Sequence, residues 1–413
     1  VIKIQQKLAM LLSVALVTAA LSAQEVVPVK EAGSAKSGVA APAAPSTAKK
    51  DVDKPSAQPR VEVVFVLDTT GSMGGLIVAA KEKIWAIANT LATAKPAPHI
   101  EMGLVGYRDR KDEYITKKTD LTIDLDEIYG KLMAFQAKGG GDGPESVNAA
   151  LHEAVTQMKW SKDDATLRLI FLVGDAPPHM DYKDDVKYHT TCEIAARAGI
   201  FINTIQCGRM GGTEPIWREI AAKAEGRYFR VEQSGGRIVE ATPFDERLAE
   251  LSLKVDTTRL YYGDAKMQRA QVLRSTTTNS NKLKSSKRAQ AQWAVYNASV
   301  AGCSNFLGHQ ELCADWKAGK VKIAELKKEH LPEKLRKMSN EDLEKLLKKN
   351  LETRVSIQKE IAELGKKRQG HLEKRLKEAG GKDKQPTLDL GIFECIKTQA
   401  ALRNIKYEGG PKL

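Results

Sequence analysis

The chain has 413 residues, 42% hydrophobic and 28% charged, globular proportions that exclude collagen-like, wholly disordered and polytopic membrane classes and allow two or three domains at about 150 residues each. Five cysteines are too few for a disulfide scaffold at this length. The formal charge of +13 is unevenly placed, at +4 over residues 1–60, −5 over 61–255 and +14 over 256–413, so the middle and the C-terminal third are expected to do different jobs.

Lys3 and Lys7 precede an apolar run from Leu8 to about Ala20, which ends in the small residues Ser22 and Ala23. A basic start, a short apolar core and a small-residue end predict a secretory signal peptide over 1–23. The run is shorter than the 18 or so residues that span a bilayer, and no Cys follows it to carry a lipid anchor. Export is the expectation, to the periplasm or the cell exterior. Residues 24–60 hold eight Ala, five Pro and five Lys, with no Leu, Ile or aromatic residue. Such a segment buries too little apolar surface to offset its ordering entropy and reads as a linker.

The apolar run Val63 to Leu67, bounded by turn residues, predicts a strand buried on both faces. Similar runs recur at Met102–Val105, Leu167–Val173 and Ile200–Ile205. Helical periods lie between them, at Lys81–Leu91, Val147–Met158 and Trp217–Ala224. Alternating strand and helix predicts an α/β fold, a doubly wound and mostly parallel sheet covered on both faces. Ligands of such sheets sit at the carboxyl ends of the strands. There the first strand ends in Asp68, followed by Thr70 and Ser72 at alternate positions. One carboxylate and two hydroxyls on a tight loop are hard oxygen donors, suited to Mg²⁺ first, with Mn²⁺ or Ca²⁺ as alternatives. Gly71, Gly74 and Gly75 let that loop turn sharply.

Over roughly residues 61–255 the sequence resembles a von Willebrand factor type A domain with its metal-ion-dependent adhesion site. The family motif Asp-x-Ser-x-Ser corresponds to Asp68-Thr69-Thr70-Gly71-Ser72. The family's late aspartate follows a buried strand, as Asp175 does after Leu-Ile-Phe-Leu-Val-Gly. The family's middle ligand, usually Thr, falls in the loop Gly139-Gly140-Gly141-Asp142-Gly143-Pro144-Glu145, where the resemblance implies Asp142, with Glu145 and Ser146 as fallbacks. It further implies a partner protein whose Asp or Glu completes the metal's coordination. Where family members switch by moving their last helix, the basic C-terminal helices would sense ligation. Domains in this motif style also resemble those attached to alpha-kinases, but no kinase sequence is recognisable here.

Asp109 and Asp112, in Y-R-D-R-K-D-E, read as a solvated charged loop. Enzyme signatures are poor. His152-Glu153 lacks the second His of a zinc-protease helix, and the glycine run lacks a following Lys in Walker spacing. His179 lies near Asp175 in sequence and is expected at the rim without a catalytic task.

Cys303 and Cys313 are close enough in sequence to pair, while Cys192 and Cys207 read equally as buried thiols; Cys395 is left over. Residues 256–300 carry Lys282, Lys284, Lys287 and Arg288 with few aromatics, so they lack the stacking platforms of nucleic-acid binders. From Ser339 the capping signal Ser-x-x-Asp opens a helical stretch of about 40 residues, roughly 60 Å long. Its stripe is Leu343, Leu347, Leu351, Val355, Ile357, Ile361 and Leu364, weakened at Gly365 and Gly370, and predicts a helical hairpin or coiled coil. The expected organisation is signal peptide 1–23, linker 24–60, von Willebrand A domain 61–255 and basic α-helical domain 256–413. The expected function is non-enzymatic and cation-dependent protein binding at the bacterial envelope, without nucleic acid. Two alternatives are a structural envelope protein holding anionic polymer or lipid through its basic helices, and an enzyme with an unfamiliar site near Asp175 and His179.

Overall fold

The computed structural model describes residues 58–141, 143–234, 241–378 and 388–412. The expected signal peptide and nearly all of the linker lie outside the described residues.

All four apolar runs are strands: β1 (Arg60–Asp68), β2 (His99–Tyr107), β4 (Leu167–Gly174) and β5 (Ile200–Cys207). Two further strands, β3 (Thr116–Thr122) and β6 (Tyr228–Val231), complete one sheet in the order β3-β2-β1-β4-β5-β6. In this sheet β3 runs antiparallel to β2 and the other neighbouring pairs are parallel. Neither added strand has a buried apolar run: β3 is the polar edge segment T-K-K-T-D-L-T, and β6 has four residues. Along β1, Val61, Val63, Phe65 and Leu67 enter one core while Val64 and Val66 enter the other, the alternation that a doubly covered strand requires.

Helices α3 (Val147–Thr156), α4 (Tyr188–Arg197) and α5 (Thr213–Lys223) cover the second face. The first is covered by α1 (Gly74–Leu91), α2 (Leu125–Ala134) and, from the far end of the chain, α12 (Leu388–Ala401). Between them in sequence come α6 (Asp245–Asp256), α7 (Ala265–Lys284), α8 (Lys287–Ala298), α9 (Cys303–Leu307), α10 (Leu312–Lys317) and α11 (Asn340–Glu378).

The predicted long helix is α11, 39 residues, started by the expected cap: Ser339 Oγ accepts from Asp342 N at 3.1 Å. It is not a coiled coil or hairpin. It lies across α6, α8 and α10, burying Leu343, Leu347, Ile357 and Ile361 and leaving Val355 exposed. The helix continues through Gly365 because the missing side chain is what lets α8 approach: a Cβ there would stand 2.9 Å from Val295 Cγ2.

Residues 56–413 form one compact unit, so the boundary expected near residue 256 marks a change of composition rather than a division of the fold. Four buried contacts show why. Trp85 of α1 stacks on Trp293 of α8 with centroids 4.5 Å apart. Leu388, Ile392, Phe393 and Ile396 of α12 join the core formed by β1 and α1. Lys83 donates to Asp389 Oδ1 at 2.8 Å, both side chains nearly inaccessible, and Asn203 and Gln399 exchange two amide hydrogen bonds. A chain cut at residue 255 would bare this face of the sheet.

The expected pairing of Cys303 with Cys313 is corrected, since all five cysteines are free thiols. Cys313 is buried with its thiol directed at Thr258 O, 3.7 Å away, whereas Cys303 is exposed. Among the described residues no helix is long and apolar enough to cross a membrane.

Removing one member of a buried ion pair strands the other charge and typically costs 3–5 kcal/mol. Asp389→Ala is therefore expected to lower unfolding free energy by about that amount in urea titration, with Lys83→Leu/Asp389→Leu recovering most of the loss. A single variant as stable as wild type would show that the pair does not hold α12.

Candidate metal centre

The carboxyl ends of β1 and β4 open onto a cleft of about 260 Å³ lined by Thr70, Ser72, Gly139, Gly140, Glu145 and Asp175, among others. Asp68 ends β1 beneath it and is fully buried. Its Oδ1 accepts from Thr70 N at 2.8 Å and Thr70 Oγ1 at 2.6 Å, and the Thr70 and Ser72 hydroxyl oxygens are 3.4 Å apart. Asp68 Oδ2 is buried without a hydrogen-bond partner. Desolvation raises the Asp68 pKa to about 7, against the lowering effect of the two Thr70 bonds, and the charge of Asp175 adds to the rise.

Three loops are tied together around this carboxylate by main-chain bonds. Thr69 N donates to Tyr107 O (2.8 Å), Lys138 N to Thr69 O (3.1 Å) and Gly71 N to Gly139 O (3.1 Å). Gly139 and Gly140 both have left-handed φ, +80° and +77°, a region that glycine enters without steric cost. A Cβ on Gly139 would collide with the Asp112 carboxylate. Farther along the same loop, Glu145 N donates to Pro177 O (2.9 Å) and His179 N to Glu145 O (3.1 Å). These bonds stitch the glycine loop to the segment that follows Asp175.

Asp68, Thr70, Ser72 and Asp175 thus meet at one end of the sheet. Asp142 lies outside the described residues. Ser146 is buried with its hydroxyl donated to Asp109 Oδ1 at 2.9 Å, away from the cleft lining. Glu145 does line the cleft and is only 4% exposed. Its Oε2 has no hydrogen-bond partner. Desolvation, then the charges of Asp68, Asp109, Asp112 and Asp175, push its pKa up to about 9.

Asp109 and Asp112 are not a solvated loop as expected; they are built into the site's support. Asp109 is buried and accepts from Ser146 and from Tyr182 OH at 2.8 Å. Asp112 Oδ2 accepts from Asp109 N (3.1 Å) and Gly140 N (3.0 Å), which fixes the glycine turn. His179 faces away from the cleft lining, bonded to Asp181 Oδ1 at 2.8 Å and stacked on Tyr182. Gln233, just after β6, escaped sequence reading. Its Nε2 donates to Asp175 Oδ2 at 2.6 Å and to Ser72 O at 3.3 Å, bridging the loops that follow β1 and β4. Its neighbours carry no motif, so the adjacent glycines Gly235 and Gly236 are the only hint of a turn there.

Among the described residues, no group of three or more His, Cys, Asp or Glu is arranged to hold a metal by itself. The donor set is mixed, carboxylates with hydroxyls. Buried carboxylate oxygens with neither donor nor counter-ion carry a large desolvation penalty, which either a proton or a hard cation relieves. The residues fit a divalent ion.

The chain is 27% identical over 139 residues to a protein of Acanthamoeba polyphaga mimivirus described as an ariadne-like RING finger protein, covering 34% of this chain and 13% of that one. It is 26% identical over 137 residues to an alpha-protein kinase of Dictyostelium discoideum, covering 32% and 20% respectively. The match thus spans a fifth or less of either relative's length. Among solved structures, an aerotolerance-related membrane protein from Bacteroides fragilis matches at 18% identity and TM-score 0.29, over 42% of this chain and 92% of that one. The SpRpn10 VWA domain matches at 14% identity and TM-score 0.33, over 42% and 89%. The family profile described as von Willebrand factor A domain matches residues 62–242, the segment that supplies nearly all of the sheet and the loops of the cleft, and over those residues the chain carries a von Willebrand factor A domain.

Proposed function

We propose that this protein binds a partner protein through the cleft in a manner that depends on a divalent cation, Mg²⁺ first. The two buried, unpartnered carboxylate oxygens at one cleft, Asp68 Oδ2 and Glu145 Oε2, carry the cation reading. A bound cation would supply a coordination position that a partner's Asp or Glu completes. Thr70 donates its only hydroxyl proton to Asp68, so the lone pairs of its oxygen remain for a cation. Ser72 offers a second hydroxyl at the exposed rim. Gln233 fixes Asp175 by one oxygen and keeps its loop against that of Ser72. The 139–146 loop supplies a further oxygen, with Asp142 the ligand that sequence resemblance implies. The basic run and apolar core at Lys3–Ala20 support placing this binding at the cell envelope after export. No catalytic role is assigned to His179, whose imidazole is bonded to Asp181 and packed on Tyr182.

Calorimetric titration should show one Mg²⁺ or Mn²⁺ bound by wild type and none by Asp68→Ala. At a free concentration 100 times Kd, the cation should stabilise wild type by about 2.7 kcal/mol. Equal binding by both chains sinks the site assignment. For the partner, captures with wild type and Asp68→Ala, each with and without EDTA, should differ in one species kept by wild type alone.

The pH dependence has a definite sign. Asp68 and Glu145 have folded pKa values of about 7 and about 9, both above the unfolded values near 3.9 and 4.3. The folded state therefore holds more protons between about pH 4 and 9, and stability falls as pH rises through that window. In EDTA the thermal midpoint should drop between pH 5 and 9 by an amount that saturating Mg²⁺ largely removes. A midpoint with the same pH profile in Mg²⁺ and EDTA overturns the assignment.

A further inference from the structure

We infer that Glu145 is the chain's own cation ligand from the glycine loop, in place of the Asp142 that the family resemblance implies. The inference rests on the cation reading above and names the residue that completes it.

Four observations carry it. Glu145 lies on the cleft wall with Thr70 and Asp175. It is 4% exposed, and its Oε2 is buried with no partner. Its backbone is held at both ends, by Pro177 O and by His179 N, so the residue is fixed to the segment that leaves Asp175. Finally, a Cβ on Gly140 would stand 3.1 Å from Glu145 Oε1 and 3.4 Å from Thr70 Cβ, so the carboxylate and the Thr70 side chain both border this side-chain-free position. A buried carboxylate oxygen without a donor is costly in its charged form unless a proton or a cation comes to it. Glu145 is the acid that the loop's main-chain bonds deliver to the cleft.

Such a site takes a hard divalent cation, because its donors are carboxylate and hydroxyl oxygens. The added charge raises affinity for the cation and leaves less positive charge for an incoming acid.

The test uses the full chain and Mn²⁺ alone, read by electron paramagnetic resonance and calorimetry, with thermal midpoints in EDTA as the structural control. Glu145→Ala should weaken Mn²⁺ at least tenfold, Glu145→Gln by less, since its amide oxygen still ligates, and Asp142→Asn by under threefold. In EDTA, Glu145→Gln should melt at or above the wild-type temperature, because it removes a buried acid among other acids. A merely structural Glu145 would lower that midpoint and leave Mn²⁺ affinity unchanged, which overturns the inference. Mn²⁺ binding lost in Asp68→Ala and Asp142→Asn but kept within twofold in Glu145→Ala overturns it too, while the cation reading stands. Failure of wild type to bind Mn²⁺ overturns both.

Discussion

The arrangement of this protein turns on a carboxylate placed where nothing neutralises it. Asp68 ends the central strand of a six-stranded sheet, is fully buried, and has one oxygen bonded to Thr70 and one without a partner. Glu145 faces the same cleft with an unpartnered oxygen of its own. Burial of acids this close to one another is unfavourable by both desolvation and repulsion, and the chain spends considerable structure on holding them so. Asp112 pins the glycine turn, Gln233 pins Asp175, and main-chain bonds join all three loops.

The scaffold is rigid for reasons that lie far from the cleft. The face of the sheet covered by α1 and α2 is completed by α12, which returns to it from the far end of the chain. Lys83–Asp389, Asn203–Gln399 and the Trp85–Trp293 stack bind early and late parts of the chain into one body. Arg354 with Glu311, Arg368 with Asp245, and Lys282 with Asp256 repeat the pattern among the helices, each pair buried. The C-terminal third is therefore part of the domain's cover, and its packing fixes where β1 and β4 deliver their acids.

Elements with strong local signals were legible: four buried strands from their apolar runs, α11 from its Ser339 cap, and Asp68, Thr70 and Ser72 from one contiguous motif. What was not legible depends on contacts between distant residues. A polar edge strand such as β3 has no run to read. The supporting roles of Asp109, Asp112 and Gln233 exist only once loops some 30 to 160 positions apart are brought together. The helical third read as a separate body because its charge differs from that of the middle; composition reports the surface, whereas the buried face of α12 decides the packing. The pairing expected of Cys303 and Cys313 failed likewise, since sequence proximity does not turn two thiols toward each other.

The charge split acquires a different meaning once the fold is one body. A region of +14 beside one of −5 suggested two domains with two partners, yet several of the basic groups are consumed inside, as Arg354, Arg368 and Lys282 are. The remainder is spread along exposed positions of α11 such as Lys345, Lys348 and Lys374. Those charges act through solvent and are screened within about 8 Å at physiological salt. The acids of the cleft act over bond lengths in a desolvated pocket, where screening is weak. One folded body thus carries a diffuse basic surface, sensitive to ionic strength, and a compact cluster of buried acids. The two respond to different variables in solution because their physics differs, not because they belong to different domains.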